Sequence, residues 1–217
     1  MNKITLYHGS MNKIVKPSFD LGDEKHDYGK GFYLTDDLEL AKEWSVCSPI
    51  NHIGYVHTFD LDISDLKILD FEKYNILAWL SELMKHRNAD DSKRYRVLSK
   101  QFIDKYGVDA SDFDVIKGWR ANASYFFIAK EFVRDNIDVT ILNDLLSLGN
   151  LGIQYCIKTK KAYSKLKEVS SIPLIVSYEE FNSKYNNRDI QARKNMRDLV
   201  DSDSNKLETV FSSLIKE

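Results

Sequence analysis

Ile4-Thr5-Leu6-Tyr7-His8-Gly9-Ser10, taken with Tyr28-Gly29-Lys30-Gly31-Phe32-Tyr33-Leu34-Thr35, decides how this 217-residue chain is read. Residues 4–7 have strand composition and run into a histidine and a glycine. In the second stretch, two glycines frame a lysine turn that feeds FYLT, residues 32–35, as another strand. Neither stretch has the G-x-x-x-x-G-K-[ST] spacing of a phosphate-cradling loop, nor the dinucleotide fingerprint. A histidine at a strand end sets an imidazole beside exposed backbone. The glycine after it lets another group approach that backbone closely.

Downstream, Thr35 or Asp36 is the expected cap of a helix over residues 37–46, with Leu38, Ala41 and Trp44 at helical spacing and Pro49 closing it. Rings from Tyr33 and Trp44, on adjacent elements, could wall a slot for a flat aromatic ligand. Residues 11–28 read as a connecting loop. Residues 54–62 alternate, which puts Tyr55, His57, Phe59 and Leu61 on one face and makes His57 an inward, satisfied side chain. Apolar spacing predicts helices over 74–87, 92–106, 124–134, 138–148 and 160–169, strands over 113–119 and 153–159, and charged amphipathic helices from about residue 177. Short strands mixed with helices, without strict β-α-β alternation, point to an α+β fold. The expected division is a domain over residues 1–170 and a charged helical extension over 171–217, packed on it or trailing from it.

A 43% apolar composition with only three prolines suits a folded globule without long linkers. The 31 basic and 33 acidic side chains are interspersed, so no bulk charge draws the chain to nucleic acid or an anionic membrane. Cys47 and Cys156 are too few for a disulfide framework, lack metal-ligand spacing, and read as buried free thiols. No apolar run approaches the roughly 20 residues of a membrane span, and the first ten residues lack a signal-type apolar core. The expectation is a cytoplasmic protein with no metal and no membrane partner.

His8-Gly9-Ser10, then the G-K-G turn with Tyr33, then Trp44 on the next helix resemble the NAD-binding half of the ADP-ribosyltransferases. The likeness is to the His-Tyr branch, which includes the poly(ADP-ribose) polymerases and diphtheria toxin, and it runs from Ile4 to about Cys47. Residues 114–133, 149–167 and 185–200 resemble a family of uncharacterised bacterial proteins thought to share that fold, which has a split mixed sheet surrounded by helices.

The resemblance implies that His8 hydrogen-bonds a ribose hydroxyl of NAD and that the Gly9 backbone pairs with the nicotinamide carboxamide, with Ser10 beside them. It also implies that Tyr33 stacks on the nicotinamide and Trp44 faces its other side. Ala41 stands where the family has a serine that holds the carboxamide. The family's glutamate, which holds a ribose hydroxyl and stabilises the oxocarbenium-like transition state, has Gln154 as its candidate counterpart. A glutamine can orient a ribose as donor and acceptor but brings no negative charge. Asn122 and Ala123 fall where related sequences often carry two acids. Asp112, Asp114 and Glu131 lie nearby, but they read better as caps or surface charges.

The implied activity is transfer of ADP-ribose from NAD to a macromolecular acceptor, protein or nucleic acid, as a bacterial toxin or defence factor with a cognate antitoxin. Two other readings stand beside it. One is an inactive module that binds NAD, ADP-ribose or a protein, motivated by Gln154, Ala41, Asn122 and Ala123. The other is an NAD glycohydrolase using the same pocket. Lys30 reads as a solvated turn lysine, and the stretch from Tyr185 to Arg197 as a solvated helix.

Overall fold

A computed structural model describes residues 2–13, 17–19, 22–45, 53–87, 92–121, 123–148, 152–175, 178–202 and 207–216. Cys47, Pro49, His52 and Asn122 lie outside the described residues. The described strands are β1 (Lys3–Ser10), β2 (Phe32–Thr35), β3 (Ile53–Asp62), β4 (Ile68–Asp70), β5 (Val115–Trp119), β6 (Ile153–Ile157) and β7 (Leu166–Ile175). They form one mixed seven-stranded sheet in the order β4-β5-β6-β2-β1-β3-β7, in which only β4 and β5 pair in parallel. The α+β reading therefore holds.

The helices are α1 (Leu38–Trp44), α2 (Ile76–His86), α3 (Lys93–Tyr106), α4 (Ala123–Val133), α5 (Val139–Leu148), α6 (Lys160–Ser164), α7 (Tyr178–Ser202) and α8 (Phe211–Lys216). Side-chain oxygens take up orphan backbone N–H groups at several starts: Asp37 for α1, Asn75 for α2, Ser92 for α3 and Thr159 for α6. The cap of α1 is thus Asp37, one or two residues beyond the positions expected.

Strand periodicity splits the core in two. One face of the sheet carries Leu69, Ile116 and Cys156 against α2, α4 and α5, around fully buried Trp79 and Phe132. The opposite face carries Leu6, Leu34, Phe59, Leu61, Val115, Tyr155 and Ile157 under Ala162 of α6.

Helix α1 lies across β1 and β3 on the first face because two glycines leave room for it. A Cβ built on Gly9 would come 1.9 Å from the Ala41 carbonyl oxygen, and one on Gly54 would come 2.2 Å from that of Ser45. Both obstacles are backbone, so α1 could not sit so low on any other residue.

One expected element is corrected. The helix predicted over 160–169 ends at Ser164, and residues 166–175 continue as β7 along the edge of β3. An edge strand with only one face covered tolerates the charges of LKEVSSIPLI, and those charges look helical when read by spacing. Strand β7 also runs through position 170, where the domain boundary was expected, and α7 starts at Tyr178. At Val169 the strand has an extra residue against Thr58 and Phe59, and Pro173 sits opposite Tyr55. Val169 and Ile172 are exposed.

Helix α7 packs on α4 and α5. It also reaches α1: the Arg188 guanidinium forks onto the Glu43 carboxylate at 2.9 and 2.6 Å. Further along α7, Arg193 pairs with Asp189 and lies 4.1 Å over the Phe127 ring. Two of the arginines in that charged stretch are therefore spent inside the chain.

A double-mutant cycle on Glu43→Ala and Arg188→Ala should return a coupling of about 1 kcal/mol in urea unfolding, typical of a partly exposed bidentate pair. Additive single effects would show that α7 does not hold α1 through this pair.

Candidate functional site

Strands β1 and β2 pair at one position only, Tyr7 with Thr35. Beyond it, toward Gly9 and Tyr33, a side chain replaces the backbone ladder. His8 Nδ1 lies 2.6 Å from the Tyr33 carbonyl oxygen. A carbonyl can only accept, so Nδ1 carries the proton and Nε2 is left with the lone pair. The ring stacks on Phe32 at 4.5 Å and lies 6.3 Å from His57. Burial pushes its pKa down to about 4, and nearby His57 adds to the fall, against the opposing pull of the Tyr33 carbonyl. Near neutral pH, His8 is a neutral imidazole that can accept a hydrogen bond at Nε2.

Tyr33 sits on the other face of β2, in register with Cys156 of β6. Its hydroxyl donates to the Gly29 carbonyl at 2.6 Å and accepts from the Tyr28 N–H at 3.0 Å, which straps the glycine turn to the sheet. Its ring meets the exposed His26 at 5.3 Å. Burial and the neighbouring Cys156 thiol hold the phenol far above its usual pKa, so it stays protonated. The Cys156 thiol is itself raised to about 12 by burial, which makes it a poor nucleophile.

Trp44 lies at the C-terminal end of α1, with the Arg120 guanidinium 5.2 Å over its ring. Its Cβ would be 2.8 Å from a Cβ on Gly9. The tryptophan therefore borders Gly9, and the missing side chain of Gly9 makes room for the helix backbone. The closely approaching group is the Ala41 carbonyl, and Ala41 is fully buried. The His8 ring lies on the opposite face of the sheet from the Tyr33 ring, and the two residues join through the Tyr33 carbonyl. Ser10 closes β1 opposite Tyr55.

Gln154 lies beside Thr35 on the Tyr33 face and is 4% exposed. Its Nε2 donates to Asp27 Oδ2 at 2.8 Å and to the Trp119 carbonyl at 3.3 Å. Both amide protons are spent, so the donor role allowed for Gln154 on sequence grounds gives way to acceptance alone, through Oε1. Asp27 is a hub that the sequence reading passed over. It also accepts from the Arg87 guanidinium and the Ala121 N–H, each at 2.8 Å. The one signal for it was its place immediately before the Tyr28-Gly29 turn.

Of the other carboxylates considered, Asp112 is exposed and the remaining two are engaged elsewhere. Asp114 binds the Lys67 N–H and the Thr159 hydroxyl, and Glu131 pairs with Arg134 and Asn136. His57 is buried with Nδ1 2.8 Å from Glu168, and Lys30 is exposed.

A family model described as "Protein of unknown function (DUF3990)" matches residues 4–167. The chain belongs to this family. No curated protein and no solved structure matches it. The DUF3990 match covers β1 through the start of β7, so the clamp between Arg188 and Glu43 ties a helix outside the matched region to one inside it. Among the described residues, no helix is long and apolar enough to cross a membrane, and no group of three or more His, Cys, Asp or Glu could hold a metal ion.

Two predictions follow from this geometry. Gly9→Ala should cost about 3 kcal/mol of stability, since its new methyl meets backbone that cannot rotate away; an unchanged melting temperature would show that α1 is not seated as described. The second concerns pH. An unfolded chain protonates His8 near its ordinary pKa of about 6.5, but the folded chain waits until about 4. His8 should therefore leave stability level above that window and lower it by about 3 kcal/mol as pH falls through it. His8→Gln should flatten this part of the urea-unfolding profile, and an unaltered slope would remove His8 as its source.

Proposed function

We propose that this DUF3990 chain binds NAD where β1 and β2 part and transfers ADP-ribose to a macromolecular acceptor. The observation that carries the reading is His8: it bridges the parted strands through Nδ1 and keeps a neutral Nε2 lone pair for a ribose hydroxyl. The resemblance of the His8-Gly9-Ser10, G-K-G-Phe-Tyr and Trp44 constellation to the ADP-ribosyltransferases supplies the ligand. Gln154, held as an acceptor, is suited to a second ribose hydroxyl.

In this reading the bond between the anomeric carbon and the nicotinamide nitrogen breaks, and its electron pair leaves with neutral nicotinamide. A lone pair on the acceptor nucleophile forms the new bond to that carbon, and the nucleophile's proton passes to solvent or a nearby base. Holding both partners in one cleft contributes several kcal/mol through proximity. Tyr33, un-ionised and fixed at its hydroxyl, offers its ring to the nicotinamide without a change of charge. The neutral charge of Gln154 favours a second reading, in which the chain binds NAD or ADP-ribose without turnover.

The deciding experiment is incubation of the full chain with NAD labelled in the adenine and with cell lysate, followed by protease or nuclease digestion. The expected result is nicotinamide release with label on a macromolecule. Free labelled ADP-ribose alone would assign hydrolysis. Calorimetric binding without release would assign the binding module. No binding at millimolar NAD would end the NAD reading. Tyr33→Ala should lower turnover about 100-fold or more, and His8→Ala should raise the KM for NAD about 10-fold, as expected for one lost hydrogen bond in a closed site.

A further inference from the structure

We infer that Asp27 is a positioning residue that turns Gln154 into an acceptor-only group, so that this amide presents the hydrogen-bonding pattern of a carboxylate. The inference rests on the NAD reading for its consequence, but the arrangement itself stands on geometry. A free glutamine amide offers an oxygen and an NH2 of similar size and can turn either toward a ligand. Here the choice is fixed. Two oxygens hold Nε2: Asp27 Oδ2 at 2.8 Å and the Trp119 carbonyl at 3.3 Å. Turning the amide over would set Oε1 against a carboxylate and a carbonyl, with no proton between them.

Asp27 is itself pinned. It is 8% exposed, Arg87 holds Oδ1, and the Ala121 N–H shares Oδ2 with Gln154. Arg87 in turn lies 4.0 Å over the Phe126 ring and donates to the Ala121 carbonyl. Tyr28 is held by donating to the Trp119 carbonyl at 2.7 Å and accepting from Trp79 Nε1 at 3.1 Å. Every neighbour that could compete for the amide is thus committed.

The functional consequence concerns charge. A carboxylate hydrogen-bonded to one end of an amide draws its proton side and enriches Oε1, the cooperative effect expected in a chain of buried hydrogen bonds. The negative charge that a glutamate would place on the ribose lies one residue deeper, on Asp27, and acts at Oε1 through the amide. The group favoured at Oε1 is therefore a hydroxyl donor, one end of a sugar diol, and a carboxylate or phosphate oxygen there is repelled.

The test takes away the acceptor that orients the amide. Gln154→Met removes the ligand-facing oxygen and should lower turnover of NAD at least about 10-fold while the KM shifts less. Asp27→Asn keeps the shape but removes the charge that fixes Nε2, and should lower turnover by about as much. An Asp27→Asn chain that melts cooperatively and turns NAD over as fast as the wild type overturns the inference.

A second readout needs no activity. The side-chain NH2 signal of Gln154, assigned in a nitrogen-15 spectrum by its loss in Gln154→Met, should be protected from solvent exchange in the wild type. An NH2 that exchanges as fast as that of an exposed glutamine overturns the arrangement whatever NAD does. A protected NH2 in a chain that neither binds nor cleaves NAD upholds the arrangement and rejects the functional reading instead.

Discussion

The carboxylate of Asp27 is the constraint on which the site side of the sheet depends. It ties the turn before β2 to the backbone after β5 through Ala121, to the end of α2 through Arg87, and to β6 through Gln154. A buried charge is tolerated only when it is paired and hydrogen-bonded. Here four elements must meet to satisfy it, so the charge specifies their register as well as being neutralised by it. The glycine turn is fixed by the same cluster. Gly29 has φ +70, its Cβ position is occupied by the His86 ring, and the Tyr33 hydroxyl clamps it from the sheet.

On the other side of the parting between β1 and β2, the constraint is steric. Gly9 and Gly54 let α1 down onto the sheet, and α1 brings Trp44 and Glu43 with it. Trp44 meets Arg120, and Glu43 meets Arg188 of α7. The two halves of the candidate site are thus built by different physics, buried polar pairing at β6 and backbone proximity at β1. The imidazole of His8 is the stitch between them.

Much of this was legible in the chain. Alternation in residues 54–62 placed His57 inward, and the spacing of the apolar residues found α1 to α5 to within a few positions. Strand β7 was missed because an edge strand is free to carry charges at positions where a central strand could not, and β4 because three residues carry no period. At the site, residue types pointed to His8, Tyr33 and Trp44, but not to which face each would occupy. The register of Tyr7 opposite Thr35 sends His8 and Tyr33 to opposite sides, and the Nδ1 contact reconnects them. Asp27 was invisible for a different reason. Its importance lies in partners that are 60 to 127 positions away along the chain.

The irregular course of β7 bears on how these molecules meet one another. The sheet's outer margin is a ten-residue strand, long enough to recruit a like strand from a neighbour. The extra residue at Val169 throws the strand out of step, and Pro173 removes an amide hydrogen, so no continuous run of donors and acceptors is on offer. At the far margin β4 has only three residues. The sheet is therefore capped at both ends, and stacking of chains into fibres through strand-to-strand zippering is disfavoured even though Val169 and Ile172 stand in solvent.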